Sequence, residues 1–204
     1  MIQMMWRNGS VISLAAKKHL IIWKLKGSKV IMVIRTCKAE DIVAAGIFYD
    51  RVVKHLCENI NYPKWRYKEY PSESSVREMT QKGCQFICID NDVIVGAFVL
   101  NDDPQGKYEN AAWSTQLSRG DYMVCHTLAA EPSLQGRGIG RQMVAYCIDY
   151  AKSQAYKAIR LDVVPDNIPA KKLYEKCEFQ YIGDADLERD IAEIPLFSLY
   201  ELNF

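Results

Sequence analysis

The segment Glu131-Pro132-Ser133-Leu134-Gln135-Gly136-Arg137-Gly138-Ile139-Gly140-Arg141 constrains this chain more than any other. It follows residues 121–130, which read as a strand. It precedes residues 139–154, whose apolar positions Ile139, Met143, Val144, Cys147, Ile148 and Ala151 fall on one helical stripe. A turn from a strand into a helix presents backbone N–H groups that have no partner inside the helix, and the helix N-terminus favours negative charge. Glycines at 136, 138 and 140 clear side chains from the path of an anion, and Arg137 and Arg141 add positive charge at the same end. The expected guest is a phosphate or pyrophosphate; the alternative is a tight turn that uses glycine only for geometry. A Walker loop would end in Gly-Lys-Ser/Thr, and none is present. A GxGxxG fingerprint would need glycine at 141 or 143, where Arg141 and Met143 stand. Mononucleotide and dinucleotide sites are therefore disfavoured.

The periodicity on either side sets the fold class. Residues 30–36 are β-branched and read as a strand, and 40–56 carry Ile42, Ala45, Phe48, Val52 and Leu56 near helical spacing. A second helix is expected over 72–82, with Ser72 at its start and Ser74 or Ser75 as alternative caps. Strands follow at 85–90 and 93–101, joined by a short Asn/Asp turn, and 102–107 with Pro104 and Gly106 is a loop. After the 121–130 strand and the 139–154 helix come a strand over 158–164, a helix over 167–177, and strands at 179–182 and 196–202. The expected order is β-α-α-β-β-β-α-β-α-β-β, a mixed α/β (α+β) domain around one central sheet. There is no internal repeat.

At 204 residues the chain has the length of one domain, and 49% apolar with 25% charged residues is a soluble globular composition. The formal net charge of +1 hides an asymmetry. Arg7, Lys17, Lys18, Lys24, Lys26, Lys29, Arg35 and Lys38 precede the first acid, Glu40, whereas residues 30–204 carry 20 basic and 25 acidic side chains. Lysines interrupt every apolar stretch of the head, so no run reaches the roughly 18 residues of a membrane span, and no secretory pattern is present. Residues 1–29 are expected to be a basic extension of uncertain status, a leader or tail, with Met32 as an alternative start. Its charge is too dilute to argue for nucleic acid. Seven cysteines, odd in number and without a CxxC pair, read as small hydrophobes in a reducing cytoplasm, with no metal site expected.

The spacing Gln135-x-x-Gly138-x-Gly140 resembles the acyl-coenzyme A signature, Arg/Gln-x-x-Gly-x-Gly/Ala, of the GNAT superfamily of N-acetyltransferases. The neighbours agree. His126-Thr127-Leu128-Ala129-Ala130-Glu131-Pro132 resembles that family's fourth strand and Ile159-Arg160-Leu161-Asp162-Val163 its fifth. Asn167-x-x-Ala170-x-x-Leu173-Tyr174-Glu175-Lys176-x-x-Phe179 resembles its closing helix. The resemblance covers residues 121–183 closely and implies a mostly antiparallel sheet, flanked by helices, whose fourth and fifth strands splay apart. The family usually has glycine just before that Phe; here Glu178 fills the place, where a left-handed cap would cost of order 1 kcal/mol.

The resemblance further implies acetyl-CoA as co-substrate. Leu128, Ala129, Ala130, Gln135, Gly136, Arg137, Gly138, Ile139, Gly140, Arg141, Asn167 and Ala170 are then its binding positions, and Tyr174 is the acid that protonates the departing thiolate. An attacking amine must lose a proton. His126 is the leading candidate base, with Glu131, Asp121 or Glu109 through water as alternatives. Tyr62, Trp65, Tyr67, Tyr70, Tyr108 and Trp113 fall in loops expected to cover the acceptor, a small-molecule or peptide amine that the sequence does not name. Oligomeric state is open, a homodimer included. A non-catalytic acyl-CoA binding module is the competing expectation.

Overall fold

A computed structural model describes residues 4–7, 10–13, 21–24 and 31–204. The elements in chain order are β1 (Met4–Arg7), β2 (Ser10–Ser13), β3 (Ile21–Lys24), β4 (Ile31–Thr36), α1 (Ile42–Glu58), α2 (Glu73–Gln81), β5 (Gln85–Asp90), β6 (Val93–Asn101) and β7 (Tyr122–Ala130). There follow α3 (Ile139–Ser153), β8 (Ala158–Val163), α4 (Ile168–Lys176), β9 (Gln180–Ala185) and β10 (Phe197–Asn203). From β4 onward these are the expected elements, displaced by no more than a few residues at their ends. Within the expected 1–29 extension, where no element was anticipated, β1 and β2 pair as an antiparallel hairpin and β3 pairs antiparallel with β4. The rest of that extension lies outside the described residues.

The main sheet has the strand order β3-β4-β5-β6-β7-β8-β10-β9. All its pairings are antiparallel except β7 with β8, because the chain leaves β7, passes through α3 and returns in the same direction. Strand alternation sends successive side chains to opposite faces. Phe86, Cys88, Phe98, Leu100, Met123 and Cys125 meet Ile139, Met143, Val144 and Cys147 of α3, together with Tyr174 of α4. Ile87, Ala97 and Ala129 meet Ile42, Ala45, Phe48, Tyr49 and Val52 of α1 and Val76 of α2. Beyond β7 that second face is covered by loops instead of a helix: Tyr108, Trp113, Leu187 and Ile194 close over Tyr122, Val124, Ala158 and Leu199.

Two irregularities of β7 position everything that follows. Its parallel pairing with β8 covers only Tyr122, Met123 and Val124, opposite Ala158, Ile159 and Arg160. Its antiparallel pairing with β6 slips between Ala129 and His126, which leaves an extra residue on β7 and kinks the strand. Thr127 sits in that bulge at φ +48, an uncommon conformation for a β-branched residue.

Candidate active site

Past Val124, β7 and β8 diverge, and residues 125–130 have no strand partner on the β8 side among the described residues. The opening leads into a cavity of about 1180 Å³. Its walls are residues 125–130 of β7 with Glu131 just beyond, Asp162, Val163 and Val164 at the end of β8, and Ala170, Leu173 and Tyr174 of α4 with its cap Asn167. The end of α1 and the loops at 59–70 and 189–194 complete it. A strand bent away from its parallel neighbour offers unused main-chain groups to an extended ligand.

The bulge is held from across the molecule. Tyr49 of α1, buried, donates its hydroxyl to the Thr127 carbonyl at 3.0 Å and approaches Thr127 Oγ1 at 3.3 Å. Burial raises the Tyr49 hydroxyl above its ordinary pKa, so it stays a donor. The strained Thr127 conformation thus persists because a buried partner from α1 fixes it.

At one end of the cavity the glycine-rich segment turns into α3. Gly136 and Gly138 adopt φ +83 and +77, the left-handed region that favours glycine. Among the described residues, the N–H groups of Gly136, Gly138, Ile139, Gly140 and Arg141 find no acceptor, while Gln142 N–H begins the helical ladder on the Gly138 carbonyl. Arg137 and Arg141 are exposed beside this row of amides. Ile139 is buried in the core, so its share in a binding loop is restricted to its backbone. Gln135 and Gly140 line the cavity, and Gly140 faces Leu173: a β-carbon there would lie 3.1 Å from Leu173 Cδ2. The row of donors on a helix N-terminus fits a phosphate-bearing ligand.

α4 carries two of the anticipated residues. Asn167 caps it by accepting the Ala170 N–H on Oδ1 at 3.2 Å, and both residues also line the cavity. Tyr174 is buried against Phe179 and Tyr200 and lines the cavity. Burial pushes its hydroxyl well above the usual tyrosine range, helped by the nearby Cys125 and Cys147 thiols. A phenol so placed stays protonated and donates. The helix ends as the sequence left in question: Glu178 takes the left-handed conformation, φ +71, in the place glycine usually fills.

His126 is 9% exposed and lies on the cavity wall. Its Nε2 is 2.8 Å from the Asp103 carbonyl. A carbonyl only accepts, so Nε2 carries the proton and Nδ1 holds the lone pair. Burial lowers its pKa, against an opposing influence of Asp162, so the imidazole is neutral at pH 7. The alternatives are placed differently. Glu131 lines the cavity but is bound by Arg51 at 2.7 Å. Asp121 is ion-paired to Lys157 at 2.8 Å, at the opposite end of β7. Glu109 is exposed outside the cavity.

Of the aromatic loop residues, Tyr62, Trp65 and Tyr70 line the cavity, and Tyr67 is exposed outside it. Tyr108 and Trp113 instead belong to the core, with Tyr108 donating to Asp162 at 2.6 Å. Asp162, which entered only as part of the fifth-strand resemblance, and Arg189 and Tyr49 were not among the expected site residues. The one available signal was a charged residue, Asp162, within a strand flanked by apolar positions. Among the described residues no group of three His, Cys, Asp or Glu side chains is placed to hold a metal ion, and no helix is long and apolar enough to cross a membrane.

Comparison with known proteins agrees with this architecture. The streptothricin acetyltransferase of Escherichia coli is 32% identical over 93 residues, 45% of this chain and 49% of that protein, so the match spans about half of its length. The N-alpha-acetyltransferase RimI of Mycobacterium tuberculosis is 38% identical over 58 residues, 28% of this chain and 35% of that one. Among solved structures, a GNAT family acetyltransferase from Streptococcus agalactiae superposes with a TM-score of 0.69 at 16% identity, covering 85% of this chain and 95% of its own. A Salmonella typhimurium protein solved with its cofactor acetyl-CoA gives 0.60 at 15% identity over 84% and 93%. At such identities the structures speak for the fold alone. The sequence model of the acetyltransferase (GNAT) family matches residues 54–179, more than half of the chain, and this protein belongs to that family.

Proposed function

We propose that this protein is an N-acetyltransferase that moves an acetyl group from acetyl-CoA to a primary amine of a small molecule or peptide by direct attack on the thioester. The observation that carries the reading is the divergence of β7 from β8 beside a row of unpartnered amides in the turn leading into α3 and its first residues. In this reading the coenzyme's phosphates lie on the N–H groups of Gly136, Gly138, Ile139, Gly140 and Arg141, with the Arg137 and Arg141 side chains adding charge. Its pantetheine arm runs along Leu128, Ala129 and Ala130, with Gln135, Asn167 and Ala170 on the flanks.

A lysine-like amine, with an ordinary pKa of about 10.4, is almost wholly charged at pH 7 and must shed a proton before its lone pair can attack. Neutral His126 accepts that proton on Nδ1. The amine nitrogen bonds to the thioester carbon, and the resulting oxyanion is met by a backbone N–H at Leu128 or Ala129. As the tetrahedral intermediate collapses, the carbon–sulfur bond breaks and Tyr174 protonates the leaving thiolate. The relatives' names point to both a small-molecule acceptor and an α-amine. The free cysteines suit a reducing cytoplasm, and residues 30–204 form the catalytic unit. A thiol-release screen with acetyl-CoA against amines, polyamines, aminoglycosides, amino acids and peptides tests the reading. Release with one acceptor class supports it, and coenzyme binding without release on any acceptor would point to a binding module.

A further inference from the structure

Arg189 reaches the cavity wall from the connection between β9 and β10, and four of its five N–H groups are engaged there. Nη1 and Nη2 bind the two Asp162 carboxylate oxygens at 2.7 Å each, Nη2 also donates to the Pro104 carbonyl at 2.7 Å, and Nε donates to the Gln105 carbonyl at 2.6 Å. The guanidinium lies 4.7 Å from the centre of the Phe197 ring. A bidentate pair to one carboxylate uses two of the five donors. The two additional carbonyls, from consecutive residues, tie the 102–107 loop to the end of β8.

That loop cannot sit elsewhere without breaking a second contact. A β-carbon on Gly106 would lie 2.8 Å from the Leu187 carbonyl and 3.0 Å from Arg189 Nε, and Lys107 N–H donates to the same Leu187 carbonyl at 3.0 Å. The residue just before the clamped pair is Asp103, whose carbonyl accepts from His126 Nε2. The loop has no helix or strand of its own from 102 to 107: the Asp103 N–H donates to Asn101 Oδ1 at 3.0 Å on one side, and Arg189 holds the two residues that follow on the other.

We propose that Arg189 is a positioning residue for His126: by clamping Pro104 and Gln105 against Asp162 it keeps the Asp103 carbonyl on Nε2, which leaves Nδ1 as the proton acceptor. This rests on the reading of His126 as the base. The charged groups facing the imidazole are Asp162 on β8, Asp103 on the loop and Arg189 itself. The Asp103 carboxylate is held at the surface by Arg119 at 3.0 Å. Removing the guanidinium leaves Asp162 uncompensated beside the imidazole and favours its protonated form.

The experiment is nitrogen-15 NMR of the histidine side chains of the full chain across pH, paired with the pH profile of kcat/KM. In the unsubstituted protein His126 carries its proton on Nε2. In Arg189→Gln the two tautomers mix, the imidazole titrates at higher pH, and the acid limb of kcat/KM moves upward with it. Arg189→Lys keeps the charge and loses the fork, so the titration midpoint stays, the tautomers mix and kcat falls about tenfold or more at unchanged acetyl-CoA KM. Should Arg189→Gln fail to fold, Gly106→Ala displaces the loop while leaving every charge in place and is expected to mix the tautomers as well. Folded variants in which His126 keeps the Nε2 proton and its titration midpoint would overturn the proposal. The spectra test the positioning role without activity, whereas an acid limb unchanged in His126→Ala would sink the base assignment alone.

Discussion

The Phe179 N–H donates to the Tyr174 carbonyl at 3.1 Å, closing the end of α4 around Glu178. This five-residue reach, with the Glu178 N–H on the Glu175 carbonyl at 3.0 Å, requires the left-handed conformation at Glu178. A side chain with a β-carbon holds that conformation at a cost of about 1 kcal/mol. Glu178→Gly is therefore expected to raise the urea midpoint at unchanged slope by about 1 kcal/mol of stability, less the entropy that glycine adds to the unfolded chain. A lowered midpoint would mean that the Glu178 side chain contributes more than its backbone strain removes.

Tyr174 is held on the cavity wall by its ring contacts with Phe179 and Tyr200, so losing its hydroxyl should leave the packing intact. Tyr174→Phe is expected to lower kcat at least several-fold with little change in acetyl-CoA KM, as removal of a group that acts in the transition state does. Equal turnover in the two proteins would take Tyr174 out of the mechanism.

Gly138 stands at φ +77 with open space where a β-carbon would point, so the penalty of Gly138→Ala is conformational and not steric. Relaxing that strain turns the first amides of α3. The expected result is a rise in acetyl-CoA KM of roughly five- to thirtyfold, the equivalent of about 1–2 kcal/mol, at similar kcat. Gly120, at φ +92 and equally open, serves as the control: Gly120→Ala should lose comparable stability and keep its KM.

Tyr49 and Thr127 predict a coupling between α1 and the bulge. Tyr49→Phe deletes the donor to the Thr127 carbonyl, and stability should fall by about 1–2 kcal/mol. The same substitution should raise acetyl-CoA KM, because the strand edge at Leu128 to Ala130 loses its fixed course. Calorimetry and initial rates on one preparation measure both; a stable variant with normal KM would show that β6 alone holds the bulge.

The junction of β4 and α1 gives stability a pH dependence. Arg35 binds Asp41 bidentately at 2.6 and 2.9 Å, and the Lys38 N–H donates to the same carboxylate at 2.8 Å. The Arg35 hydrogen bonds hold the Asp41 carboxyl below its ordinary pKa. A folded pKa lower than the unfolded one means stability that is fully present above the unfolded value and is lost as pH falls through the folded value. The unsubstituted protein should exceed Asp41→Asn by about 1 kcal/mol at pH 7 and converge with it in acid, as chemical denaturation across pH would show.

Much of this was legible in the chain. Period-two runs at 85–101 and a helical stripe from Ile139 to Ala151 depend on neighbours within a few residues, so β5, β6 and α3 stand where their patterns put them. Asn167 caps α4 through its own third neighbour, again a local contact. The basic head was harder to read. Ile21–Lys24 makes a strand that four residues with a lysine among them do not announce, because its partner β4 supplies the pattern. Tyr108 and Trp113 looked like residues of a covering loop and are core, since the face of the sheet beyond β7 has no helix to bury it.

The amino-acid sequence by itself determined the element order from β4 onward, the glycine-rich turn into α3 and the register that sets Tyr174 one turn beyond Ala170. Each follows from backbone preferences and side-chain spacing that act over one or two turns of chain. Tertiary structure alone decided where β7 parts from β8, just past Val124, that Tyr49 holds Thr127 in its bulge across 78 residues, and that Arg189 crosses to Asp162 and the 102–107 loop. The reason is that a buried hydroxyl, carboxylate or guanidinium must find a partner somewhere. Which partner it finds depends on what the folded layers bring within hydrogen-bond distance, not on its place in the chain.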